Sequence, residues 1–129
     1  YVVGHEVGHH VQTLLGTSEF VRGLQQSAGS QAEANELQVL MELQADCYAG
    51  VWAHHANATG QILEPGDVGE GLAAAAAIGD DRIMQRAGRE ATPESFTHGS
   101  AEQRQQWLET GRQTGTVEAC ETFAAAGLR

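Results

Sequence analysis

His5, Glu6 and His9 form a His-Glu-x-x-His motif inside Gly4-His5-Glu6-Val7-Gly8-His9-His10. On a helix, two imidazoles four residues apart stand on one face about one turn from each other, which suits two adjacent corners of a tetrahedral zinc. Glu6 lies beside them without being forced into the coordination shell, the placement of a carboxylate that takes a proton from a metal-activated water. Chance placement in a chain of this composition gives about 0.03 such motifs, so the motif is read as a metal site. A catalytic zinc needs a third protein ligand and leaves its fourth position to water. The arrangement with a third histidine six residues after His9 is absent, because Gln12 and Leu15 stand at its glycine and histidine positions. Glu42, within Glu42-Leu43-Gln44-Ala45-Asp46, is the better third ligand. Asp46, one turn further on, is placed to orient a ligand histidine through its second ring nitrogen. The alternative is that Glu42 and Asp46 only solvate a surface. Glu33, Glu36, His54 and His55 are read as surface groups rather than ligands.

Several elements must position these groups. A first helix is expected from about Val2 to Leu15, ending at Gly16. Val3, Val7, Val11, Leu14 and Leu15 have the spacing of its core stripe, with His5 and His9 nearly opposite. A short turn or helix through Phe20, Val21 and Leu24 and a loop at residues 27–30 lead to a long helix over residues 31–57, with Ser30 as N-cap and Glu33 completing a capping box. Leu37, Leu40, Met41, Tyr48, Val51 and Trp52 make its apolar side. Ala45, Ala49 and Ala53 are small enough for a neighbouring helix to approach closely, and that neighbour is inferred to be the His-Glu-x-x-His helix. After a Gly- and Pro-containing break, one helix is expected to start at Pro65 and run through Asp67 to about Gln85, with Asp80, Asp81 and Arg82 solvating its end. Ser100 should cap a helix over residues 101–114, to which Trp107 and Leu108 contribute core contacts. His98, just before it, is the candidate donor to a developing oxyanion, with Arg104 a weaker one. Residues 117–123 should dock Cys120, and residues 124–129 should fray.

A chain of 129 residues holds one domain with a real core. Its opening on Tyr-Val-Val-Gly, with the motif at its edge, reads as the C-terminal catalytic part of a longer parent whose N-terminal strands or anchor lie elsewhere. A formal charge of −10 disfavours nucleic acid and anionic membrane surfaces as partners. The longest apolar run, Leu72 to Ile78, is too short to cross a membrane. Cys47 and Cys120 form no C-x-x-C pair, and a disulfide between them is expected, which would place the domain in an oxidising compartment.

Three blocks carry a resemblance: His5-Glu6-Val7-Gly8-His9-His10-Val11-Gln12, then Glu42 through Ala53, then Thr97-His98-Gly99-Ser100 with Arg104. In this order, and over essentially the whole chain, they resemble the bacterial putative neutral zinc metallopeptidase family. The resemblance implies a mainly α, zincin-like domain over residues 1–129 and one zinc per chain on His5, His9 and Glu42, in the Glu-x-x-x-Asp manner of gluzincins. It also implies a parent anchored by an N-terminal membrane segment, with this domain outside the cytoplasm in the bacterial cell envelope. The expected activity is hydrolysis of a peptide or protein substrate, with Glu6 as general base and His98 assisting. The rival readings are a zinc-binding interaction module without turnover, a closed structural zinc site that recruits His10 or His98, and a hydrolase of non-peptide substrates.

Overall fold

The structure, a computed structural model, describes residues 1–128. Its helices are α1 (Val2–Leu14), α2 (Thr17–Gln26), α3 (Gln31–Gly60), α4 (Asp67–Ala77), α5 (Asp80–Arg86), α6 (Ala101–Thr114) and α7 (Thr122–Ala125), with short 3-10 turns at Pro93–Ser95 and Val117–Cys120. No strand occurs among the described residues, and the fold is mainly α as expected. α3 is the central post. Ser30 Oγ accepts from the Glu33 backbone N–H at 3.1 Å, while the Glu33 carboxylate takes the Gly29 N–H at 2.7 Å, so only half of the expected capping box forms. The complete box is at α6, where Ser100 and Gln103 satisfy each other's backbone N–H groups.

Every residue of α3 from Glu42 to Gly50 is buried. A helix buried on all sides needs neighbours around its circumference, and here α1 and α2 pack against one side and α6 against another. Both main contacts are made backbone to backbone. A Cβ on Gly8 of α1 would lie 2.9 Å from the Ala45 carbonyl oxygen, and one on Gly111 of α6 would lie 1.9 Å from that of Cys47. The inference that Ala45 and Ala49 receive the His-Glu-x-x-His helix is met: Gly8 sits on Ala45 and Gly4 on Ala49.

This close contact overturns the expected orientation of α1. Val3 is 76% and Leu14 71% exposed, and Val7 and Leu15 also face outward, whereas His5, Gly8 and Gln12 are buried. Of the supposed core stripe, Val11 alone packs on a buried cluster, that of Cys47, Tyr48 and Cys120. The buried face is selected by how closely the backbone can approach, and its polar groups are tolerated because each finds a hydrogen-bond partner. Trp52, on the apolar side expected for α3, is 54% exposed.

The helix expected to start at Pro65 and run to about Gln85 begins at Asp67 and is broken at Ile78–Gly79. Gly79 lies so close to α6 that a Cβ there would stand 2.3 Å from the Ala101 nitrogen. The break turns Asp80 inward. Its Oδ2 accepts the backbone N–H groups of Thr97, His98 and Gly99 at 2.9, 2.7 and 3.0 Å, and Asp81 Oδ1 accepts that of Ala101 at 2.8 Å. These carboxylates therefore anchor the loop before α6 rather than solvate a helix end. The disulfide forms as expected between Cys47 and Cys120, with a Cα separation of 5.6 Å. Phe123 is fully buried beside Val21 and Leu37; of the tail expected to fray from residue 124, Ala124 and Ala125 are helical, and Arg129 lies outside the described residues.

Two glycine substitutions test this packing. Gly111→Ala should destabilise the fold by about 3 kcal/mol or more through overpacking, despite alanine's better helix propensity. Gly23→Ala, in α2 with nothing near its missing Cβ, should stabilise by roughly 0.5–1 kcal/mol. Urea midpoints that move the same way in both variants would contradict the close α3–α6 crossing.

Candidate metal centre

α1 and α3 bring together the three residues singled out as ligands. His5 Nε2 lies 3.0 Å from Glu42 Oε2 and His9 Nε2 lies 3.4 Å from Glu42 Oε1. One ligand atom from each residue falls within 4.8 Å of the others. Ligands on a tetrahedral zinc with bonds of about 2.1 Å stand roughly 3.4 Å apart, so two nitrogens and a carboxylate at these separations fit that ion. Among the described residues no further histidine, cysteine or carboxylate joins the cluster, and His10 is exposed. The cluster faces a cleft of about 340 Å³ that is also lined by Tyr1, Val2, Glu6, Ile78, His98 and Arg104. Glu6 is exposed on the cleft, next in sequence to His5, and His98 contributes to its wall from the loop held by Asp80.

Asp46, fully buried, sits where the Glu-x-x-x-Asp spacing puts it, with Oδ1 2.7 Å from His5 Nδ1. Three groups surround its carboxylate. Besides His5, Tyr1 donates its hydroxyl to Oδ1 at 2.5 Å, and Arg104 donates Nε to Oδ2 at 2.8 Å and Nη2 to Oδ1 at 3.1 Å. Arg104, proposed from sequence as a weaker oxyanion donor, is thus committed to Asp46, because a buried carboxylate needs a charge partner. His9 has its own support in Gln12, whose Oε1 lies 2.8 Å from His9 Nδ1. Sequence reasoning missed the roles of Tyr1 and Gln12. The signal for both is helical spacing, with Tyr1 one turn before His5 and Gln12 three residues after His9. His55 is exposed, as expected, and His54 is half-buried; both meet the end of α6, at the Gly115 and Arg112 carbonyls, at 2.6 and 2.8 Å. Glu33 and Glu36 are exposed as expected.

The electrostatics follow from this crowding. Burial favours neutral His5, but hydrogen bonds to Asp46 and then Glu42 outweigh it and push its pKa up to about 9. The Glu42 hydrogen bond raises His9 as well, against burial. Burial opposes ionisation of Glu42, yet the two histidines hold its pKa below the ordinary carboxylate range. Burial and the neighbouring Asp46 carboxylate raise the Tyr1 hydroxyl, which stays a proton donor.

These shifts set how the metal-free chain responds to pH. The raised His5 adds stability that is complete below about 6.5 and is lost as pH rises through about 9. The lowered Glu42 adds stability present above 4.5 and lost as pH falls. The chelator-treated protein should therefore show its highest thermal midpoint between pH 4.5 and 6.5, with a decline toward pH 9 that His5→Phe reduces. A midpoint that climbs steadily from pH 6.5 to 9 would refute the charge assignment.

Residues 1–123 match the family described as "Putative neutral zinc metallopeptidase". The uncharacterized protein YpfJ of Escherichia coli (strain K12) is 54% identical over 123 residues, which are 95% of this chain and 42% of the relative. The uncharacterized protein Rv2575 of Mycobacterium tuberculosis (strain ATCC 25618 / H37Rv) is 51% identical, over 99% of this chain and 45% of the relative. The chain thus spans less than half the length of these curated relatives. No solved structure gives a significant match. The family match runs from the start of the histidine-bearing helix to Phe123 and takes in every side chain of the cluster and its supports, and the chain belongs to the putative neutral zinc metallopeptidase family.

Proposed function

We propose that this chain is the catalytic part of a zinc-dependent peptidase, holding one zinc on His5, His9 and Glu42. The observation that carries the reading is the convergence of a His2Glu donor set, with no fourth protein ligand in reach among the described residues, on a cleft that also holds Glu6 and His98. Zinc in such a site lowers the pKa of water at its open position to about 7 and polarises a carbonyl. Asp46 and Gln12 accept from the Nδ1–H of His5 and His9, which turns the lone pair of each Nε2 toward the metal position. Glu6 accepts the proton of the attacking water and delivers it to the nitrogen of the departing amine. His98 meets the oxygen on which negative charge develops. Its Nδ1 lies 3.0 Å from Thr97 Oγ1 and 3.3 Å from Asp80 Oδ1, and because the carboxylate only accepts, Nε2 donates into the cleft when the ring carries a hydrogen on both nitrogens.

The proposed substrate is a peptide or protein. We place the domain outside the cytoplasm, in the cell envelope of a bacterium. The Cys47–Cys120 disulfide supports this, since such bonds persist in oxidising compartments. No helix among the described residues is long and apolar enough to cross a membrane, so the membrane anchor proposed for the parent is assigned to sequence outside them.

Elemental analysis and cleavage of a mixed peptide library test the reading together. Wild type should carry one zinc per chain and cleave. Glu6→Gln should keep the zinc and lose about 10²–10⁴-fold in rate, and His98→Ala should lose about 10²–10³-fold with zinc retained. Full activity in Glu6→Gln would refute the general base. Zinc without cleavage in wild type would favour a binding module, and hydrolysis confined to non-peptide esters or amides would redirect the substrate class.

A further inference from the structure

We propose that Gln12 is the positioning residue of His9 and that, through Gln44, it couples metal affinity to the Cys47–Cys120 disulfide. This rests on the zinc reading above. Gln12 and Gln44 are among the largest fully buried side chains of the protein, at 0% and 1% exposure, in a helical core where apolar residues are the usual occupants. Burying two amides is costly unless their polar atoms are paired. Here they are paired in series. Gln12 Nε2 donates to the Met41 carbonyl at 2.8 Å and to Gln44 Oε1 at 2.9 Å, and Gln44 Nε2 donates to the Cys120 carbonyl at 2.9 Å.

The chain of bonds has a fixed direction. A backbone carbonyl only accepts, so the Cys120 oxygen requires the nitrogen of Gln44 to face it, and that turns Gln44 Oε1 toward Gln12. The Met41 carbonyl and Gln44 Oε1 are both acceptors, and together they take both hydrogens of Gln12 Nε2. Gln12 Oε1 is then the atom left facing His9 Nδ1, at 2.8 Å. An oxygen there demands a hydrogen on Nδ1, which leaves the lone pair of His9 on Nε2, the nitrogen beside Glu42. Turning either amide over would set oxygen against oxygen at a buried contact. The tautomer of His9 is therefore dictated by two backbone carbonyls, one of them in the C-terminal segment.

That segment is held at this point by the disulfide. Cys120 ends the 3-10 turn Val117–Cys120, 73 residues from Cys47, and both cysteines are fully buried. Cys47 adjoins Asp46 on α3, so the bond that places the Cys120 carbonyl over Gln44 arises beside the residue that orients His5. Loss of the disulfide frees the carbonyl, removes the acceptor that orients Gln44, and relaxes Gln12 and His9 in turn. Metal affinity falls as a result, and by linkage the metal favours the disulfide-closed form.

The test is the zinc dissociation constant, measured by competition with a chromophoric chelator, alongside circular dichroism and the thermal midpoint of each metal-free protein. The variants replace Cys47 and Cys120 by alanine rather than reducing the bond, because thiol reductants bind zinc. Gln12→Met should weaken zinc binding about 10- to 100-fold, the effect of losing a group that orients a metal-bound histidine. Gln44→Met and the paired Cys47→Ala/Cys120→Ala should each weaken it about tenfold, and combining them should be no worse than Gln44→Met alone, since both cut one chain of bonds. Val21→Ala, a core truncation that removes none of these hydrogen bonds, should lower the thermal midpoint and leave zinc affinity within about twofold. With cobalt in place of zinc, the visible bands should shift in Gln12→Met and Gln44→Met and not in Val21→Ala.

A folded Gln12→Met that binds zinc as tightly as wild type would overturn the positioning role, and if that variant does not fold, Gln44→Met serves the same purpose. Losses that multiply in the combined variant, or an equal loss in Val21→Ala, would overturn the coupling. Failure of wild type to bind zinc would refute the metal reading itself.

Discussion

The contact on which the rest of the molecule depends is the approach of α1 to α3 at Gly8 and Ala45, where no side chain larger than a methyl group separates the two backbones. Helices this close bring the start of each side chain within reach of the other helix, so short polar groups meet directly. His5 can then touch Glu42 and Asp46 at once, and Gln12 can reach the Met41 carbonyl of the facing helix. Had the Val3, Val7 and Leu14 face been turned inward, the bulk of those side chains would have held the helices apart and the histidines would have faced away from α3. The orientation that builds the metal centre is the one that leaves apolar surface outside.

Close approach creates a polar interior, and that interior must be neutralised by something. α6 supplies it. Its own backbone contact with α3, at Gly111 against Cys47, sets the register that delivers Arg104 to Asp46. A buried carboxylate is tolerated when its charge and its lone pairs are both met, and Tyr1, His5 and Arg104 together meet those of Asp46. The same helix begins at the loop that carries His98. The break at Gly79 lets α5 start where Asp80 can gather three N–H groups of that loop. Ligand support and the opposite wall of the cleft are thereby tied to one helix, and a shift of α6 would disturb both.

The histidine supports differ in kind. His5 rests on an ionised carboxylate with its own cation, which keeps its proton tightly held. His9 rests on a neutral amide whose orientation comes from carbonyls further inside. A carboxylate raises the basicity of the ring it faces more than an amide does, so the two nitrogens presented to the metal are electronically unequal.

Chemistry that depends on local spacing is legible without coordinates. The pairing of His5 with His9 needs only the pitch of a helix, and Glu42 with Asp46 the same pitch again. The Ser100 cap, the helix it starts, and the small face Ala45–Ala49 also follow from residue types along one element. What lies between elements does not. Periodicity shows that α1 has two unlike faces, but which one is buried is decided by backbone approach to a helix some forty residues away, and the expected apolar face lost that competition. Arg104 reads equally well as a cleft donor or as a partner for a buried charge until α6 is docked. The glutamines show the limit most clearly: helical spacing puts Gln12 beside His9, but an uncharged amide at position 12 or 44 acquires a role only when folding places the Met41 and Cys120 carbonyls against it and so dictates which way its oxygen points.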